Sequence, residues 1–337
     1  MSTQKRHHYL SEFYLKEFSE ENRIWVYDRE TKKLRRDIPK NTAVKTNYYT
    51  ITDEEGERST EAESVLSLIE DRAVGPIKKL DKKEIITYEE KQELSLFIAL
   101  FITRVPHFER VLIHMFDTQA KTTLKVASAT KERVDHLVSK YNIELNDFDH
   151  TDFMEYVKSE KNKIVPNHEL VIAYMLKMGL EIAKYLFQMD WFILHSTDDQ
   201  PLATTDVPFV ILAPKDQKPP YRYGVGLIQK DTVKLIPLTK NTALAMVNHG
   251  DRLIHRDFNS EQVTKLNEIM ALSSERLLIG PDRELISSII EHTHLFDMEP
   301  NQYVSIDSFG DSIQGFITVT TLNVDAYNSS WLGSLIE

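Results

Sequence analysis

No cysteine occurs in the 337 residues. That absence excludes disulfide staples, thiolate metal centres and a cysteine nucleophile, and it suits a reducing cytoplasm. Glycine is scarce too, with 10 in the chain. Phosphate cradles made of glycine backbone are therefore poorly supplied, and there is no Gly-rich loop ending in Lys-Ser/Thr, no His-Glu-x-x-His and no Gly-x-Ser-x-Gly elbow. Nucleotide binding through the usual loops is not expected, and any cofactor stays unknown. Long apolar runs are missing. The stretch from Leu94 to Ile102 is less than half of the ~20 residues that a membrane helix needs. The polar, basic segment from Met1 to His8 has no apolar run behind it, so a secretory leader is not expected.

An excess of basic charge is also lacking. Lysine and arginine number 41 against 52 aspartates and glutamates, a formal charge of −11. General attraction to nucleic acid is disfavoured by that balance, while a specific nucleic-acid or protein partner stays open. Lys32, Lys33, Arg35 and Arg36 concentrate positive charge locally, and the plainer reading is a solvated hairpin edge protected from aggregation.

What is present is ordinary globular material, 41% hydrophobic and 28% charged, which argues against wholesale disorder. The length exceeds what one hydrophobic core usually spans. Apolar spacing predicts a first helix from His8 to Phe18 and strands at Ile24 to Tyr27 and Lys33 to Ile38. Thr60 with Glu63, and Thr87 with Glu90, have the spacing of capping boxes that open long helices. The second helix is expected to continue, kinked near Pro106, towards Tyr141. A further helix follows from His168 to about Gln188. Strands are then predicted at Trp191 to His195, Pro208 to Leu212, Val233 to Pro237, Ala243 to Val247 and Gly315 to Asn323, with helices at Ser260 to Glu275 and Asp282 to Glu291. Segregated runs of this kind indicate α+β rather than a doubly wound parallel sheet. Residues 1–188 form a hairpin plus a helical region and 189–337 a strand-rich region, read together as one integrated domain.

His8-Tyr9, then Phe13-Tyr14-Leu15 and Phe18, then Trp25, Tyr27, Asp28 and Arg29, form a recognisable series. Ile69-Glu70, the block around Arg104 and Pro106, Thr204-Thr205-Asp206-Val207-Pro208, Ile236 to Thr239 and Leu266-Asn267 continue it. This order resembles the bacterial domain-of-unknown-function family numbered 4238, over most of residues 7–280. Ser11 stands where that family usually has proline, Thr205 where it has serine, and Val207 where it has asparagine. Any chemical role of that serine or asparagine is weakened here. The resemblance implies a fold and no activity.

Four residues are candidates for chemistry. His8 could act as a general base, since imidazole titrates near neutrality; of the adjacent pair His7-His8 it is preferred because it begins the family-like run, and its plainer role is to cap or bond the first helix. Asp206, in a Thr-Thr-Asp-x-Pro turn, could orient a water or a cation, or simply form an Asx or Ser/Thr turn in which these side chains bond nearby backbone amides and Pro208 fixes the exit. Arg104 ends an apolar helical face, where a guanidinium must be paired; it clamps an anion or pairs internally with Glu70. Asp147 to Asp152 lacks the glycine and distal glutamate of a calcium loop, and His292 with His294, read as one face of a strand, lacks further ligands for zinc. No metal is expected. Two functions stay open: a cytoplasmic hydrolase of phosphodiester or nucleic-acid substrates using His8, Arg104, Asp206 and Glu70, and a non-catalytic binding or regulatory protein.

Overall fold

A computed structural model describes residues 6–52, 58–59, 61–141, 163–214, 226–295 and 329–336. The expected cap at Thr60, the Asp147 to Asp152 loop with the short helix after it, most of the loop from Pro214 to Gly226, and the strand at Gly315 to Asn323 lie outside these residues.

The chain begins as a strand, β1 (Arg6–His8), paired antiparallel with β4 (Val44–Thr46). Here the expected helix from His8 is corrected. Only α1 (Glu12–Lys16) is helical, and its N-cap is Ser11, whose hydroxyl accepts the N–H of Tyr14 at 3.2 Å. The serine found where the family has proline thus has a local task, and His8 does not cap this helix. Hairpin β2 (Ile24–Asp28) and β3 (Lys33–Asp37) follows, then the short pair β5 (Ile51–Thr52) and β6 (Arg58–Ser59).

Four long or medium helices form the middle: α2 (Glu61–Asp81), α3 (Tyr88–Thr103), α4 (Pro106–Ala127) and α5 (Lys131–Tyr141). The Thr87–Glu90 capping box is formed in both directions. At Pro106 the structure has a break rather than a kink. Proline bars the residue before it from helical geometry, so Val105 is extended (ψ 149°) and Pro106 becomes the first residue of α4. Helix α6 (His168–Phe187) packs extensively on α3, where Gly179 lets the backbone approach Leu100 and Thr103 closely.

The second half supplies β7 (Met189–His195), β8 (Thr204–Thr205), β9 (Val210–Leu212), β10 (Val233–Thr239), β11 (Thr242–His249), β12 (Leu253–Asp257), α7 (Ser260–Ser273), β13 (Leu277–Gly280) and α8 (Arg283–Thr293). Five strands form a mixed sheet in the order β12-β7-β11-β10-β9, with only the β12–β7 pair parallel. Both faces are covered. Trp191, Ile193, Ile236 and Met246 join the core shared with α2, α3 and α6, while the alternate residues Phe192, Leu194, Leu235 and Ala245 meet Val263, Leu266 and Met270 of α7. A second sheet, β3-β2-β13-β8, packs its Tyr27 and Leu278 against Ile286 and Ile290 of α8. The basic strand β3 is its edge, as expected of a charged hairpin arm. His292 lies in the last turn of α8 and His294 is its left-handed C-cap, so the expected strand there is corrected to a helix end. The mixture of helices with mixed sheets is α+β. Among the described residues no helix is long and apolar enough to cross a membrane.

Candidate functional site

The first polar group gathers where β1 meets α2 and the end of α3. Strand alternation sends the two neighbouring histidines to different surroundings. His7 is fully buried: its Nδ1 accepts the N–H of Tyr49 at 2.8 Å, its ring lies parallel to the Tyr49 ring, and its Nε2 faces Glu63 Oε2 at 3.1 Å. A Nδ1 that accepts leaves Nε2 to carry the proton. His8 is half-buried, with Nε2 3.1 Å from the carbonyl of Lys40. Burial lowers its pKa, while the charges of Glu12 and Glu70 pull the other way.

Arg104 is the C-cap of α3, held by its N–H to the Leu100 carbonyl, and its own carbonyl accepts the Tyr49 hydroxyl at 3.3 Å. The helix end favours a cation there. Its side chain is 4% exposed, its Nη1 pairs with Glu70 Oε1, and its guanidinium carbon lies 5.0 Å from the Phe101 ring centre. The Nε and Nη2 of this buried guanidinium meet no acceptor among the described residues. Glu70 is one-fifth exposed. Burial pushes the Tyr49 hydroxyl pKa upward; Arg104 opposes, and Glu70, Glu109 and Glu63 add to the rise.

Asp206 belongs to a second group. Its two oxygens accept the backbone N–H groups of Glu275 (3.0 Å) and Arg276 (2.8 Å), while its own N–H bonds the Leu277 carbonyl. Burial, reinforced by Glu275, pushes its pKa up to about 7 against those amides. Around it, Arg276 pairs with Asp28 at 2.9 Å, Arg110 with Glu275, and the buried Tyr9 hydroxyl feels the Asp206 charge. Burial also lowers the pKa of His107 beside Glu275 and Arg110. The Thr205 hydroxyl closes the expected local turn by accepting the Val207 N–H at 3.0 Å.

Of the four candidates, Glu70 links Arg104 by contact and His8 by its field; Asp206 is placed with Tyr9, Glu275 and Arg276 instead. Sequence reasoning placed His7 behind His8, gave Glu63 only a capping role and did not single out Tyr49. No sequence signal separated His7 from His8, because the strand that turns them to different sides is set by pairing with β4. A third group, also unforeseen, joins β7 to β12: His195 Nε2 lies 2.9 Å from His255 Nδ1, and burial with the neighbouring His255 pushes His195 down to about 4. Among the described residues no three histidine or carboxylate side chains gather as a metal site.

A family model described as "Protein of unknown function (DUF4238)" matches residues 6–284. No curated protein and no solved structure matches.

Proposed function

The chain belongs to the DUF4238 family of proteins of unknown function, and since membership brings no activity with it, we propose from the side chains themselves that it is a binding protein recognising an oxyanion at Arg104. One observation carries this reading. A guanidinium only 4% exposed holds two N–H-bearing nitrogens that meet no acceptor among the described residues. Buried donors left unmet cost about 1–3 kcal/mol each, so an arrangement that keeps two is explained by a ligand that fills them.

The reading extends to setting and organisation. The protein acts in the cytoplasm as one integrated domain, a view supported by the bond between Tyr14 of the first helix and Thr204 of the strand-rich part at 2.7 Å. A charge of −11 supports a specific partner, protein or nucleic acid, over general nucleic-acid affinity.

A second reading, phosphodiester hydrolysis, is favoured by Glu70, which acts on both Arg104 and His8. In that reading His8 donates from Nε2 to Lys40, leaving Nδ1 as the basic nitrogen that would take a proton from water. Asp206 serves it better as a brace than as a base, since both oxygens already accept backbone N–H groups.

Thermal melts of the full chain with sodium acetate and dimethyl phosphate test the binding reading. The wild type should be stabilised in a concentration-dependent way by mass action, and Arg104→Gln should not respond. Equal responses of the two proteins would defeat it. Steady release of nitrophenolate from bis(p-nitrophenyl) phosphate, lost in His8→Asn, would instead promote the hydrolase.

A further inference from the structure

The vacant nitrogens of Arg104 are not an arbitrary pair. Nε and Nη2 occupy one edge of the planar guanidinium, and their N–H bonds run parallel there. The other nitrogen, Nη1, is taken by Glu70, and Phe101 sits 5.0 Å from the guanidinium carbon. That edge, enclosed and without an acceptor among the described residues, is a two-pronged fork of the kind that matches two oxygens of a carboxylate or phosphate when the side chains around it part.

Charge around the fork narrows the class. The Tyr49 hydroxyl, which lies against Arg104, senses the carboxylates of Glu63, Glu70 and Glu109. Glu12 and Glu70 act on His8 at the same junction. Nearby cations are already engaged: Lys45 bonds Glu109 at 3.1 Å, and His7 has its Nδ1 on Tyr49 and its Nε2 towards Glu63. One negative charge can be met by Arg104. A second would face the carboxylates of Glu63, Glu70 and Glu109, whose cationic partners among the described residues are already engaged.

We propose that this fork takes a singly charged oxyanion that presents two oxygens on one edge, a phosphodiester or a carboxylate, and discriminates against dianions such as phosphomonoesters. This deepens the binding reading above and rests on it. Glu70 then has a specificity role as well as a positioning one: it fixes the guanidinium and repels a second charge.

The test compares dissociation constants by calorimetry on the full chain at about pH 8, where a phosphomonoester carries its second charge. The probes are dimethyl phosphate, acetate and methyl phosphate. Dimethyl phosphate or acetate should bind at least about tenfold more tightly than methyl phosphate, and whichever of the two is tighter identifies the class. Glu70→Gln, which keeps an acceptor for Nη1, should narrow that gap by strengthening methyl phosphate. Arg104→Lys, confirmed folded by its melt, should bind all three weakly because a point charge lacks the fork. Methyl phosphate binding as tightly as the monoanions would overturn the selectivity while leaving the binding reading intact. Binding of none of the three would remove both.

Discussion

Asp206 Oδ2 accepts the backbone N–H of Arg276 at 2.8 Å, and through that bond the turn before β13 is fastened to the turn after β8. The second oxygen does the same for Glu275. This is a brace built on acceptors, so Asp206→Asn should damage it by turning an NH2 towards a buried N–H. A loss of about 1–3 kcal/mol is expected in urea unfolding at mildly acidic pH, with anion binding at Arg104 retained. Unchanged stability would free Asp206 for a chemical role.

The same carboxyl gives the protein a pH dependence of known sign. Its pKa is raised in the folded state to about 7 by burial, then by Glu275. Its stabilising contribution is therefore complete below the ordinary carboxyl range and is lost as pH rises through about 7. Unfolding free energy should fall between about pH 4 and about pH 7 and then level off, and the slope should be shallower in Asp206→Asn, which does not titrate. Parallel slopes for the two proteins would assign the dependence elsewhere.

The N-terminal segment should be indispensable to folding. Leu10, Tyr14, Leu15 and Phe18 are each 0% exposed, and the Tyr14 hydroxyl donates to the Pro237 carbonyl at 2.8 Å. Tyr14→Phe should cost about 1–3 kcal/mol by leaving that buried carbonyl unmet. Deleting residues 1–18 removes several such burials together, each about 1.5–3 kcal/mol, and should leave material without a cooperative melt. A truncated chain melting at the wild-type temperature would contradict this packing.

Glu70→Leu should be more harmful than Glu70→Gln. The leucine strands the Arg104 guanidinium; the glutamine still offers Nη1 a carbonyl. The expected loss for leucine is roughly 3 kcal/mol, at the lower end for a broken buried pair because Glu70 keeps partial exposure. Adding Arg104→Met should recover much of it, since the uncompensated charge is then gone. A double variant no better than Glu70→Leu would mean that the pair is not the source of the loss.

Much of this architecture is legible in the sequence for identifiable reasons. Helix α3 carries a capping box, and β7, β10 and β11 are short apolar runs because both faces of their sheet are covered. Strands β1 and β12 hide because Arg-His-His and Leu-Ile-His-Arg-Asp have no apolar alternation, and tertiary pairing makes them strands. The Arg104–Glu70 pair was legible because a guanidinium ending an apolar face needs a partner. The bonds of Asp206 were not, since the donors are backbone N–H groups that any residue at 275 and 276 would supply.

The most direct test of the account places an anion in the structure. Cacodylate is a monoanion shaped like dimethyl phosphate, and its arsenic scatters anomalously. Crystals of the full chain soaked in it should show an arsenic peak with two oxygens within hydrogen-bond distance of Arg104 Nε and Nη2, beside an intact Arg104–Glu70 pair. An empty fork whose two nitrogens bond protein groups or ordered water, with arsenic elsewhere or absent, would contradict the claim that Arg104 is a ligand site.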